Sequence, residues 1–210
     1  MSEGLSTAER LRSTPGVQRF PSAALDLFVM RNFLSPAQCA ALIERIDEQR
    51  RPSAIADDLG DAAFRTSETC DLDHGDPIVA GVDAAITDLL GIARSHGEAI
   101  QGQRYAPGQE FKPHTDTFEP GKPDFFTHCA DTGNRSWTAM IYLNLPDDGG
   151  ATRFKAIGKT IRPETGKLVA WNNLLPTGQP NLATLHQGMK VRRGTKYIVT
   201  KWFRERAPGA

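Results

Sequence analysis

Gln103–Arg104–Tyr105–Ala106–Pro107–Gly108–Gln109–Glu110–Phe111–Lys112–Pro113–His114–Thr115–Asp116 is the stretch on which the reading of this chain turns. Its chemical centre is His114-x-Asp116. On a β-strand, residues two apart point to the same face, so one imidazole and one carboxylate converge on one point. Such pairs arise often by chance and gain weight only from what lies downstream. A metal needs a third ligand, and His186, in Leu185–His186–Gln187–Gly188, is the candidate. Two histidines and one carboxylate would hold a metal from one side and leave its other positions open.

Downstream, the chain reads as short strands separated by turns, the mark of a sandwich or barrel. Trp137 to Asn144 is rich in β-formers, Pro146–Asp147–Asp148–Gly149–Gly150 is a turn, and Thr152–Arg153–Phe154 resumes the sheet. Lys167–Leu168–Val169–Ala170–Trp171 is another strand, and Lys196 to Phe203 is the last. Period two along that last strand puts Lys196, Ile198, Thr200 and Trp202 on one face, with Tyr197, Val199, Lys201 and Phe203 on the other. If the first face points inward, Lys196 is a cation in an enclosed site. The strand itself offers no acid to answer it, and an unpaired buried charge is costly. A ligand carboxylate would answer it, with Thr200 or Tyr142 adding hydrogen bonds. The bland alternative is a lysine snorkelling at a strand end.

Upstream, residues 1–20 are polar, with Ser, Thr, Pro and Gly, and read as a flexible tail. Residues 21–98 read as a support region packed on a core of residues 99–206, all within one domain. Phe28–Val29–Met30 is a short strand. Ser35, Pro36 and Gln38 spell a capped helix start, and Cys39, Leu42, Ile43 and Ile46 share one helical face. Arg50–Arg51–Pro52 ends that helix. A loop carrying Asp57, Asp58, Gly60 and Asp61 leads to Arg65–Thr66–Ser67–Glu68–Thr69–Cys70, an edge strand or a segment facing substrate. A second helix starts near Asp76–Pro77, with Ile78, Val82, Ala85, Ile86 and Leu89 as its apolar face. His74 and His96 read as solvated polar residues. Phe118 to Arg135 is a long polar connection, either a lid or a surface insertion. His128 and Cys129 within it are adjacent and therefore make poor co-ligands.

Composition narrows the classes. The 210 residues carry 25 basic and 25 acidic side chains, so nothing argues for a nucleic-acid or membrane surface. No apolar run approaches a membrane span, and the N-terminus lacks a signal-peptide pattern. Cys39, Cys70 and Cys129 are few, odd in number and far apart, which argues against a disulfide framework. A cytoplasmic protein is the expectation. Its oligomeric state cannot be read from the chain.

Taken in order, these motifs resemble the Fe(II)/2-oxoglutarate dioxygenase superfamily, in particular its prolyl 4-hydroxylase-like branch. Arg104–Tyr105, Pro107–Gly108–Gln109, Phe111 and His114-x-Asp116 are similar to that branch's first metal motif. Tyr142–Leu143–Asn144 with Gly149–Gly150–Ala151–Thr152–Arg153–Phe154 is similar to its YLN…GG-x-T-x-F stretch, and His186-x-Gly188, Gly194 and Lys196 close the pattern. Weaker likeness extends upstream through Phe33–Leu34–Ser35–Pro36, Arg65–Thr66–Ser67 and Glu98. Gln187 stands where the branch often has a small residue.

The resemblance implies a mainly β fold with N-terminal helices, a double-stranded β-helix (jelly-roll) core flanked by packing helices. It implies that His114, Asp116 and His186 hold Fe(II), and that Lys196 pairs with the distal carboxylate of 2-oxoglutarate. Tyr105 would hydrogen-bond near that cosubstrate, with Tyr142 and Thr200 as further contacts. Arg65, Thr66, Ser67 and Trp202 would lie along a substrate groove. The implied reaction hydroxylates a C–H bond, most directly of a prolyl residue in a peptide or protein, using O2 and releasing succinate and CO2. Ascorbate is an optional further cofactor. A free amino acid or small metabolite is the alternative substrate. From other classes, a cupin-like metal enzyme or a non-catalytic β-sandwich binding module could share the fold. The cupin-like enzyme would not need Lys196, and a binding module need not have kept all four site positions.

Overall fold

The structure, a computed structural model, describes residues 5–53 and 64–209; the loop carrying Asp57, Asp58, Gly60 and Asp61 lies outside them. In chain order the elements are α1 (Thr7–Ser13), β1 (Val17–Arg19), β2 (Leu27–Met30), α2 (Pro36–Gln49), β3 (Arg51–Pro52), β4 (Glu68–Asp71) and α3 (Pro77–Leu90). There follow β5 (Gln101–Tyr105), β6 (Phe111–His114), α4 (Pro123–Cys129), β7 (Arg135–Tyr142), β8 (Asp148–Gly149) and β9 (Thr152–Phe154). The chain continues with β10 (Lys159–Ile161), β11 (Leu168–Asn172), β12 (His186–Gly188), β13 (Val191–Arg193) and β14 (Lys196–Arg204).

Eight strands form one antiparallel sheet in the order β1-β2-β11-β7-β14-β5-β4-β3, and four form a second in the order β10-β9-β12-β6. Strands β13 and β8 make a separate ribbon. The alternation of side chains explains how two cores arise from one large sheet. From β7 and β14, Ala139, Ile141, Tyr197, Val199 and Phe203 face Leu42 and Ile46 of α2 and Val79, Val82 and Ile86 of α3. Their neighbours Met140, Tyr142 and Ile198 face the other way, joining Phe154 and Ile161 of the smaller sheet and Trp171 of β11. This pairing of sheets, with helices outside, is the expected jelly-roll core.

Both main helices start as the sequence indicates. Ser35 accepts from the Gln38 amide while the Gln38 side chain accepts from the Ser35 amide, and Pro36 fills the first helical position. Asp76 caps α3 by accepting from the amides of Ile78 and Val79. Gly91, at φ 67°, ends it in the left-handed conformation.

Three readings need correction. Residues 1–20 were expected to be a flexible tail, yet α1 and β1 form within them. Ser6 and Glu9 make a capping box, Leu11 is fully buried, and the Arg10 guanidinium donates to the last-turn carbonyls of Asp88 and Leu89. The support region does more than pack on the core, since β2, β3 and β4 belong to the large sheet. The buried face of α3 is rotated from expectation: Val79, Val82, Asp83, Ile86 and Leu90 are its buried residues, and Ile78 and Leu89 lie at the margin. Asp83 can face inward because it pairs with Lys201 of β14.

Candidate active site

His114 ends β6 and His186 opens β12, directly across the ladder from it. Asp116 follows β6 by two residues. One ligand atom from each of the three lies within 4.8 Å of the others, and His114 Nε2 is 3.9 Å from Asp116 Oδ1. The rings are oriented from behind. His114 Nδ1 lies 2.8 Å from the Lys112 carbonyl, and His186 Nδ1 lies 2.9 Å from that of Thr184. A carbonyl can only accept, so each Nδ1 donates to it, which leaves Nε2 as the atom available to a metal. Phe111 stacks on His114 at 3.5 Å between centroids, while Phe154 and Trp171 enclose His186.

Electrostatics favour the states that bind a cation. Burial, with the neighbouring His186, pushes His114 down to about 3, so its imidazole is neutral at ordinary pH. For Asp116, burial acts to raise the carboxyl, but His186, His114 and a hydrogen bond from Thr138 outweigh it and hold the group below its usual range. Two imidazoles and a carboxylate with ligand atoms gathered at a common point fit a divalent metal with open positions.

The same cavity is walled by Gln103, Tyr105, Thr152, Lys196, Ile198, Thr200 and Trp202. Lys196 is 1 % exposed, and among the described residues no carboxylate pairs with it. Its Nζ stands 4.7 Å from the Tyr105 ring centre and 5.5 Å from that of Tyr142. Burial lowers it to about 7. Gln187 alternates to the other face of β12, where it is opposite Arg153 and partly exposed; it does not narrow the cavity.

The other residues picked out by sequence divide in two. Tyr105 and Thr200 line the cavity and are tied together through Gln103, which accepts from the Tyr105 hydroxyl at 2.8 Å and donates to Thr200 at 3.3 Å. Trp202 also lines it, with the Arg135 guanidinium 3.9 Å from its ring centre. Tyr142 points inward, but its hydroxyl already donates to Thr152 Oγ1 at 2.6 Å. Arg65 stands over the Phe111 ring at 5.0 Å. Thr66 is engaged with the Glu110 backbone, and Ser67 is buried beside Ser53. These three are not among the residues lining the cavity.

Gln103 and Thr152 went unnoticed in the sequence. Gln103 had a usable signal, being two residues from Tyr105 on one strand. The connection from Phe118 to Arg135 contains α4 and is anchored by Asn134, whose side chain accepts from the Phe118 amide and donates to its carbonyl. His128 stacks on Phe118 at 4.9 Å between ring centres.

Comparison with known proteins agrees with this geometry. Residues 100–204 match the family model described as the 2OG-Fe(II) oxygenase superfamily. The chain is 34 % identical over 149 residues to prolyl 4-hydroxylase subunit alpha-1 of Gallus gallus, covering 70 % of this chain but 29 % of that relative. It is 28 % identical over 203 residues to prolyl 4-hydroxylase 13 of Arabidopsis thaliana, covering 85 % of this chain and 71 % of the relative. The viral collagen prolyl hydroxylase of Paramecium Bursaria Chlorella virus-1, solved as a 2OG complex, superposes with a TM-score of 0.68 at 25 % identity, covering 85 % of this chain and 95 % of that one. A Pseudomonas putida prolyl-4-hydroxylase shares the fold, with a TM-score of 0.62 at 22 % identity over 95 % of this chain and 97 % of its own.

Proposed function

Because the chain belongs to the 2OG-Fe(II) oxygenase superfamily, we propose that it is an Fe(II)- and 2-oxoglutarate-dependent hydroxylase acting on a prolyl residue of a peptide or protein. The observation that carries this reading is the unanswered Lys196 ammonium in the cavity that also holds the His114, Asp116 and His186 cluster. A metal site alone would serve many chemistries. A metal site with one buried cation calls for a ligand that chelates at one end and carries an anion at the other, as 2-oxoglutarate does.

His114 Nε2, Asp116 Oδ1 and His186 Nε2 would hold the iron, and Lys196 the distal carboxylate of the cosubstrate. When bound, iron and 2-oxoglutarate together supply the activation of O2 that hydroxylates a C–H bond, releasing succinate and CO2. The chain's own residues do the positioning. Lys196 fixes the cosubstrate's far end, assisted by Tyr105 and Thr200, whose hydroxyls Gln103 holds in place. Phe111, Met140 and Trp171 shield the centre from water. Trp202, backed by Arg135, offers a flat face to the substrate.

The prolyl assignment is supported by the names of the relatives and by the viral enzyme's likeness. Ascorbate as an accessory cofactor belongs to the same proposal, as does a cytoplasmic setting, for which the three buried, unbridged cysteines are the support. The test is an anaerobic titration of Fe(II) and 2-oxoglutarate into metal-free protein, followed by aerobic incubation with proline-containing peptides. A visible metal-to-ligand charge-transfer band, absent in His114→Ala, and a peptide gaining one oxygen atom are expected. A folded, metal-binding protein without the band would overturn the oxygenase reading. A band without any hydroxylated peptide, alongside turnover of a small molecule, would overturn the prolyl one.

A further inference from the structure

Behind the metal-ligand cluster lie two polar side chains that neither lining nor ligation explains. Thr138 of β7 and Asn173, just past the end of β11, are both 0 % exposed. Asn173 Nδ2 lies 2.8 Å from Thr138 Oγ1, and Thr138 Oγ1 lies 2.6 Å from Asp116 Oδ2. The direction of this chain is fixed by chemistry. A carboxylate only accepts, so the single hydroxyl proton of Thr138 goes to Asp116. The hydroxyl must then accept from its other neighbour, and only the amide NH2 of Asn173 can donate. Asp116 Oδ2 is therefore tied back to the large sheet, leaving Oδ1 turned toward His114.

The same asparagine supports the second histidine through its backbone. The Asn173 carbonyl accepts from the Asn181 amide at 2.8 Å, and the Asn181 carbonyl accepts from the Thr184 amide at 3.0 Å and from the Thr184 hydroxyl at 2.6 Å. The Thr184 carbonyl then accepts from His186 Nδ1 at 2.9 Å. Asn173 Oδ1, meanwhile, is buried with no partner among the described residues. A residue needed only to fill space would be apolar here, because an orphaned buried acceptor is unfavourable. Its amide is retained for what it donates to.

We propose that Thr138 and Asn173 are positioning residues. They select Oδ1 of Asp116 as the metal-binding oxygen. This rests on the metal-site reading above, and the experiment separates the two. Co(II), used as a spectroscopic stand-in, is titrated into metal-free wild type, Thr138→Val, Thr138→Ser, Asn173→Leu and His114→Ala. Visible absorption reports affinity and ligand field, and the melting temperature of each metal-free protein is measured alongside.

Thr138→Val, nearly isosteric, is expected to bind Co(II) about 10–100-fold more weakly with an altered spectrum. Its metal-free melting temperature should fall modestly, since Asp116 Oδ2 and Asn173 Nδ2 each lose a partner, and Thr138→Ser should restore affinity, spectrum and melting temperature. Asn173→Leu should fall between, since Thr138 can still donate. Wild-type affinity and spectrum in Thr138→Val overturn the role of Thr138, and the same result in Asn173→Leu overturns that of Asn173. Parallel loss of melting temperature and affinity in both Thr138→Val and Thr138→Ser overturns positioning in favour of plain structural support. If Thr138→Val does not fold, the Thr138→Ser and Asn173→Leu results still decide. Folded wild type that takes up no Co(II) would instead overturn the metal site itself.

Discussion

At the scale of the residue, Lys196 shows what a one-dimensional pattern can reveal. Period two on the last strand grouped it with Ile198, Thr200 and Trp202, and if that face turned inward, the lack of an acid on the strand made an anionic ligand the natural partner. Both features hold in three dimensions, where it is 1 % exposed. Under the proposed function, Lys196→Met should weaken 2-oxoglutarate binding by roughly 30-fold or more, the loss expected when one member of a buried charge pair is removed. Anaerobic calorimetry with metal-loaded protein checks this, and unchanged affinity would remove the assigned role. A pH dependence follows as well. Burial lowers the free ammonium to about 7, while a bound carboxylate would raise it. Below that pH the lysine is already protonated. Above it, binding must take up a proton, so affinity should fall as pH rises, approaching tenfold per pH unit. Calorimetry at pH 8 in buffers of different ionisation enthalpy should report proton uptake in wild type and less in Lys196→Met. Thr138 and Asn173 were beyond this kind of reading. Their hydrogen bonds join β7, the residue past β11 and the second residue past β6, and nothing local in the sequence announces those meetings.

At the scale of the element, local signals carried far when they were chemical and less far when they were compositional. The Ser35 and Asp76 caps mark their helix starts to the residue. The equally good box at Ser6 and Glu9 was passed over because the surrounding Ser, Thr, Pro and Gly suggest disorder. Apolar periodicity on α3 misjudged its rotation because a buried charged residue, Asp83, carries no apolar signal. Asp83 is fully buried and paired with Lys201, which also donates to the Glu98 carbonyl at 2.9 Å. The pair fastens α3 to the outer face of β14, the strand whose inner face carries Lys196, Thr200 and Trp202. Breaking it should therefore be costly. Lys201→Met alone should destabilise the fold, though by less than the about 3–5 kcal/mol of a fully uncompensated buried charge, because Arg94 Nε still lies 2.7 Å from Asp83 Oδ2. The Asp83→Leu/Lys201→Met double variant should recover most of that loss, since well-packed apolar residues often replace buried pairs without penalty. Urea unfolding of the single and double variants tests the claim, and additive losses would show that the pair is not the coupling element.

At the scale of the whole molecule, the sheet order β1-β2-β11-β7-β14-β5-β4-β3 could not be read from strand positions, because its neighbours are mostly distant in sequence. Resemblance supplied that architecture; physics explains its use. The site is divided between the two sheets: His114 and His186 come from the smaller one, and Lys196 and Thr200 from the larger. A metal bound on one side and a dicarboxylate reaching across to Lys196 would therefore join the sheets through the cavity. Anything that binds only the folded state stabilises it by mass action, about 2.7 kcal/mol at a hundredfold excess over Kd. The location of the gain is more telling than its size. The smaller sheet is built from the short strands β10, β9, β12 and β6, whereas the nine-residue β14 lies in the middle of the larger sheet, paired with β5 over Lys196–Thr200 and with β7 over Ile198–Arg204. Amide exchange should thus slow mainly in β6, β12 and the turn before His186 when Co(II) and 2-oxoglutarate are added together, with little change in β7 and β14. In Lys196→Met the metal should still protect the turn before His186, but 2-oxoglutarate should add little further protection. Uniform slowing across both sheets in wild type would mean that the ligands stabilise the fold globally, and the picture of a site that bridges a less stable sheet to a more stable one would fail.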